Sequence, residues 1–174
     1  DSIKVIAKSS FAYCGKLGKI NFPEGLRYIG DSAFDHTSAL NTVELPESLR
    51  YIGSGAFDFS GLKGTLIIPA GIENLQSYTF CYGLSVVKIT DGTKYINSYA
   101  LDLRDRLGGA THKTYYIPPS VDYFNDTSLT CAEEHTIYGI KGSFASNASK
   151  IRSAWKFEEV AYDSKAVFDA SGGT

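Results

Sequence analysis

Three cysteines, three histidines and two glutamates are the first residues to weigh for chemistry in this 174-residue chain. A nucleophilic thiol needs a histidine within hydrogen-bonding reach and a polarised cleft. A structural zinc site needs cysteines and histidines at short, paired spacings. Cys14, Cys81 and Cys131 form no CxxC pair and no Cys/His ligand spacing. Their odd number leaves at least one thiol unpaired within the chain. His36, His112 and His135 share no motif with one another. Glu24 and Glu47 are the strongest carboxylate pair. A glycosidase would need its two carboxyls about 5 to 10 Å apart across a sugar cleft. These two stand at equivalent points of successive sequence units, expected on a convex or lateral face, and suit a solvated surface better. The residues therefore point to no catalytic centre, no metal and no cofactor, and the chain reads as a non-enzyme.

Composition narrows the partners. Formal net charge is −2, from 17 basic and 19 acidic residues. A nucleic-acid binder needs a basic face to replace counterions, so that class is excluded. The longest apolar runs are only a few residues, such as Leu66-Ile67-Ile68, so no membrane insertion is expected within the chain. Aromatic residues are abundant, with 12 Tyr and 10 Phe.

What must position any surface is a repeat. Phe11, Phe34, Phe57 and Phe80 recur every 23 residues. Five residues before them stand Ile6, Ile29, Ile52 and Leu75, and three further back Ile3, Leu26, Leu49 and Ile72. Ser10, Ala33, Ala56 and Thr79 precede the phenylalanines. Pro23, Pro46 and Pro69 follow the first three, each behind a large apolar residue. A unit of this length cannot bury a core alone, but identical apolar columns stack when units coil. Each coil should advance about 4.8 Å, the spacing of paired strands. Cys14 and Cys81, about three coils apart, are then roughly 14 Å from each other and beyond disulfide reach.

Two segments per unit read as strands. The first covers 19–22, 42–45, 65–68 and 86–89, alternating outward and inward before the proline that ends it. Its outward residues include Lys19, Asn21, Thr42, Glu44, Thr65, Ile67, Val86, Lys88 and Tyr116. They form a candidate binding face, in which Ile67, Val86 and Tyr116 supply apolar character. The same residue types also suit a solvated sheet. The second segment is shorter and carries a lateral stripe of Arg27, Tyr28, Arg50, Tyr51 and Tyr95. Stacked Tyr and Arg occur at binding hot spots, but cross-strand stacking gives them a structural role that weighs more here.

The pattern loosens after Phe80. Leu101 takes the phenylalanine column, and a charged insertion at 102–114 with Gly108-Gly109 should protrude as a loop. Val121 and Phe124 begin a last partial unit. Residues 143–160 change character: Ser143 can cap a helix carrying Phe144, Ala148 and Ile151, and Trp155 to Val160 reads as a strand. The expected organisation is about six coils over 1–142, a C-terminal α/β cap over 143–160, and a tail over 161–174 that could begin a following domain. Ile3 and Ile6 already occupy repeat columns. The N-terminal coil is therefore expected to be covered by further repeats, another domain or a partner.

Unit by unit, the chain resembles the BspA-type leucine-rich repeats of bacterial surface proteins. The resemblance rests on Leu40-Asn41-Thr42-Val43-Glu44-Leu45-Pro46, Ile52-Gly53-Ser54-Gly55-Ala56-Phe57 and Leu62-Lys63-Gly64-Thr65-Leu66-Ile67-Ile68-Pro69. It covers about residues 3 to 160. Cys14 sits at the family's cysteine column, where Thr37, Ser60 and Gly83 depart from it. Ile137 to Ser143 is similar to the family's C-terminal ending. The resemblance implies a mainly β, leucine-rich-repeat-like right-handed solenoid with short loops and turns. It also implies a secreted or cell-surface protein that binds a protein or glycan in adhesion or host interaction. The other reading is a structural spacer within a larger surface protein.

Overall fold

The structure, a computed structural model, describes residues 3–103, 112–125, 135–149 and 155–160. Most of the insertion, Cys131 and the 161–174 tail lie outside the described residues. In chain order the elements are β1 (Val5–Ile6), β2 (Tyr28–Ile29), β3 (Tyr51–Ile52), β4 (Gly64–Ile68), β5 (Asn74–Leu75), β6 (Leu84–Ile89), β7 (Tyr95–Ile96), β8 (Lys113–Tyr116), β9 (Tyr123–Phe124), β10 (His135–Gly139), α1 (Phe144–Ser149) and β11 (Trp155–Glu159). They wind as a parallel, mostly β solenoid of about six turns.

The short strands form two lateral sheets, β1-β2-β3 and β5-β7-β9. The longer ones form one five-stranded sheet in the order β4-β6-β8-β10-β11. Pairing puts equivalent residues side by side: Ile6 opposite Ile29, Ile29 opposite Ile52, and Ile68 opposite Ile89. A strand alternates its faces with period two, so this register keeps every apolar residue of a column inside. Leu26, Leu49 and Ile72 are fully buried, as are Ile29, Ile52, Leu75 and Ile96.

The phenylalanines form the spine. Ring centroids are 5.1 Å apart for Phe11–Phe34 and Phe34–Phe57 and 5.3 Å for Phe57–Phe80, with planes within 12°. The turn that carries them is stitched coil to coil by backbone bonds, with the N–H groups of Phe11, Phe34, Phe57 and Phe80 donating to the carbonyls of Ala33, Ala56, Thr79 and Ala100. The last of these bonds sets Ala100 beside Phe80 as Thr79 stands beside Phe57, so Leu101 takes the phenylalanine column.

Each of the four phenylalanine turns bends through two left-handed residues, and the Leu101 turn through one. Two before the phenylalanine column they are Ser9, Ser32, Gly55, Tyr78 and Tyr99, and two after it Tyr13, His36, Phe59 and Tyr82, with φ between 50° and 73°. Only Gly55 adopts this region without steric cost. The other eight are held there by the repeated hydrogen bonding of the turn.

The first two expected strands of the long sheet are absent. Residues 19–22 and 42–45 are not strands, and the sheet begins at β4. The physical difference lies in their outward residues. Lys19, Asn21 and Glu44 favour a pleated surface less than the Thr65, Ile67 and Val86 that follow them. Phe22 is also bulkier than the equivalent Leu45 and Ile68. It leans edge-on against both Phe34 and Phe57, at 5.6 and 6.5 Å.

Where the repeat degrades, threonines enter the core with their hydroxyls satisfied. Thr93 takes the Leu26-Leu49-Ile72 column and donates to the Ile72 carbonyl at 2.6 Å, and Thr90 takes the proline position and donates to Ile68. A buried hydroxyl without such a bond would cost about 1–3 kcal/mol. At the other end, β11 pairs with β10, and Ser143 Oγ accepts the Ser146 N–H at 3.4 Å ahead of α1. Phe144 and Trp155 set their rings edge-on to Phe124 at 5.3 and 6.2 Å. Ile3 and Val5 are 63% and 57% exposed on the first coil, although Ile3 belongs to a column that is buried elsewhere.

Phe57 is fully buried between two parallel rings. Phe57→Ala is expected to destabilise the fold by about 3–5 kcal/mol. Urea denaturation would read this as a lower midpoint at unchanged slope. A loss under about 1 kcal/mol would show that the spine closes over the gap.

Candidate binding surfaces

The long sheet turns its outward residues into two rows. In register, Thr65, Val86, Thr114, Thr136 and Lys156 make one, and Ile67, Lys88, Tyr116, Tyr138 and Glu158 the other. Tyr116 and Tyr138 stack at 4.8 Å with planes 12° apart. Lys88 Nζ stands 5.3 Å from the centre of the Tyr116 ring, within cation–π range. Burial, and then the neighbouring Tyr138, push the Tyr116 hydroxyl pKa above its usual value, so it stays a neutral donor. Lys156 and Glu158 pair at 2.8 Å on the same face.

Two of the residues expected to form one binding face, Thr65 and Ile67, stand both on the sheet and at the wall of a groove beside it. Thr65, Ile67, Val86, Lys88 and Tyr116 share the continuous sheet. Lys19, Asn21, Thr42 and Glu44 line an open groove of about 570 Å³ beside β4, which Thr65 and Ile67 also line. Phe22, Leu45 and Pro46 contribute its apolar lining, and Glu24 and Glu47 join Glu44 there. Glu24 and Glu47 are both solvent-exposed at the rim of this groove. Tyr138, Thr136, Lys156 and Glu158 extend the rows beyond what the repeat frame revealed. The signal for them was the alternation of 135–139, unanchored to the 23-residue frame because the preceding sequence departs from that spacing.

The lateral stripe is built for stability. Tyr28 and Tyr51 stack at 4.6 Å with planes 7° apart. Burial, followed by Asp31 and Tyr28, raises the Tyr51 pKa. Arg50 turns its guanidinium back onto the chain, donating to the Glu47 and Leu49 carbonyls at 2.7 and 2.8 Å. Tyr95 stands opposite Tyr123, and Lys94 pairs with Glu73 at 2.9 Å. Arg27 and Tyr28 remain exposed.

A second external ladder was missed. At the left-handed residues two after each phenylalanine, Tyr13, His36 and Phe59 stack at 4.7 and 4.6 Å, and Tyr82 tilts by 39° against Phe59 at 5.0 Å. The aromatic types at that column were visible at the 23-residue period, but His36 read as a loop replacement. Ring faces along the ladder cover one another, and Tyr13 at its end is 73% exposed. Asp35 Oδ1 lies 2.6 Å from His36 Nδ1, and Asp58 Oδ1 accepts the Phe59 N–H at 2.9 Å. Burial is the main cause raising the Asp58 pKa, and Asp35 adds to it, against the Phe59 hydrogen bond.

The remaining reactive side chains are dispersed. Cys14 is exposed, and Cys81 is buried with its thiol 3.5 Å from the Tyr99 carbonyl. His112 Nε2 lies 2.9 Å from Thr136 Oγ1, and His135 meets the Tyr115 ring edge-on at 5.6 Å. His112 and His135 thus lie at the N-terminal ends of the neighbouring β8 and β10 with different partners, while His36 stays on the aromatic ladder. Among the described residues, no helix is long and apolar enough to cross a membrane.

Comparison with known families gives one match. The BspA type leucine rich repeat region matches residues 4–129 in six copies, most of the chain. No curated protein matches it.

Asp58 offers a test of the ladder's electrostatics. Its pKa is raised in the fold above the ordinary 3.8. Between those two values the folded state holds a proton that the unfolded state releases, so stability falls as pH rises through that interval. The penalty is complete above it. Asp58→Asn keeps the oxygen that accepts the Phe59 N–H. It is expected to raise the urea midpoint at neutral pH and to lose that advantage as pH falls toward 3.8. A midpoint difference independent of pH would contradict this.

Proposed function

We propose that this chain, which belongs to the BspA type leucine-rich repeat family, is a non-catalytic module that binds a protein or glycan through its strand-lined face. The single observation that carries the reading is the row Ile67, Lys88, Tyr116, Tyr138 and Glu158. It places an apolar residue, a cation, two stacked tyrosines and a carboxylate side by side on a rigid sheet. Tyrosine supplies large contact area with few rotatable bonds, and the stacking fixes both rings before a ligand arrives. Hydroxyls and the Lys88 ammonium give the same patch directional polar contacts.

The family's association with bacterial surface proteins supports an extracellular or cell-surface location and a part in adhesion or host interaction. Residues 143–160 would serve as the closing layer of the last coil, since solenoids need their terminal apolar face covered. Of the lateral residues, Arg27, Tyr28, Arg50 and Tyr95 are exposed and open to a ligand, whereas Tyr51 is half-buried beneath its neighbours.

The test is retention of host matrix proteins and glycans on immobilised chain, compared with Tyr116→Ala and Tyr138→Ala. Truncating a central tyrosine at a hot spot costs about 2 kcal/mol or more, so retention of the ligand should fall about thirtyfold. Circular dichroism should be unchanged, because both rings stand on the outer face. If the arrays retain nothing, or if both variants bind as the parent does, the strand-face reading fails.

A further inference from the structure

We infer that the groove beside β4 binds an extended, basic polypeptide segment by adding it as a strand-like guest to the first two coils. The inference rests on the binding-module reading and narrows it to one site and one class of partner. Three observations converge on it.

The first is backbone. In later coils the equivalent segment is a hydrogen-bonded strand, as in β4 and β6. Residues 19–22 and 42–45 occupy the same place in their coils without pairing. Among the described residues, the bond from Lys63 N–H to the Asn41 carbonyl, 3.0 Å, reaches the start of the second segment, and no other backbone bond joins it to β4. A row of unpaired amides and carbonyls in extended chain is what a guest strand recognises.

The second is apolar surface. Leu66, Ile68, Val87 and Ile89 are buried, whereas the same columns in the first coils, at Ile20, Phe22, Val43 and Leu45, are only half-buried. Alternate side chains of an extended guest would cover them. The third is charge. Glu24, Glu44 and Glu47 line the groove against Lys19 alone, and all four are exposed. That balance attracts lysine and arginine and repels acidic chains. A polypeptide meets all three demands, because it carries regularly spaced amides as well as basic and apolar side chains.

The experiment uses the whole chain and a labelled peptide of about eight residues alternating Lys and Val, followed by fluorescence anisotropy. Binding is expected, weakening as salt rises. It should drop about tenfold or more in a Glu44→Lys/Glu47→Lys variant whose circular dichroism is unchanged. Methylating alternate peptide amides should abolish it, and a Glu-Val peptide should not bind. Tyr138→Ala, on β10 three strands away from β4, should leave peptide affinity intact. That variant therefore distinguishes failure at the groove from failure at the sheet face. The inference is overturned by no binding at about 1 mM peptide, by equal binding of the acidic peptide, or by indifference to amide methylation or to the double variant. A cationic chitosan oligomer binding as tightly as the peptide would also overturn it, in favour of a glycan.

Discussion

The structure depends on a match between two lengths. Parallel strands must sit about 4.8 Å apart for their amides to bond. Aromatic rings stacked in parallel settle at centroid separations that begin just below that value. A ring repeated at one column of a hydrogen-bonded coil therefore stacks on its equivalent without any further arrangement. The phenylalanine spine shows this inside, at 5.1 to 5.3 Å. Tyr28 with Tyr51, Tyr116 with Tyr138, and the ladder through His36 show it outside. The abundance of Tyr and Phe follows from the same geometry. On each face the backbone bonds fix the rise, and the rings exploit it.

The interior of the fold was legible because columns repeat. Ile29, Ile52, Leu75, the phenylalanines and the prolines announce a coil, and Leu101 can be placed in register although its neighbours drift. The first two sheet strands were not legible. Their inward residues fit the pattern, but pairing depends also on the outward residues and on how Phe22 leans across two neighbouring coils. Periodicity reports which side chains point inward and is silent on whether adjacent backbones come close enough to bond.

Surfaces follow a similar division. The outward residues of β4, β6 and β8 could be read directly because alternation and frame agree there. The continuation to Tyr138 and Glu158 could not, since an irregular coil separates these residues from the frame and only spatial pairing restores the row. The left-handed columns were hidden for another reason. Ser, Gly, Tyr, His and Phe share no backbone signature, and their conformation is imposed by bonds to the next coil rather than by their own preferences.

Hydrogen bonding between equivalent residues of successive coils also governs how such a chain can change its length. An inserted residue within a bonded side would throw every later column out of step with its neighbour. Whole turns can be gained or lost by duplicating or deleting one unit of genetic sequence, because each copy arrives already in phase with the last. The added turn would bring its own residue to every outer row. A lineage built this way can widen or shorten its surface in discrete steps, and can place longer novelties at a corner such as the one after Leu101.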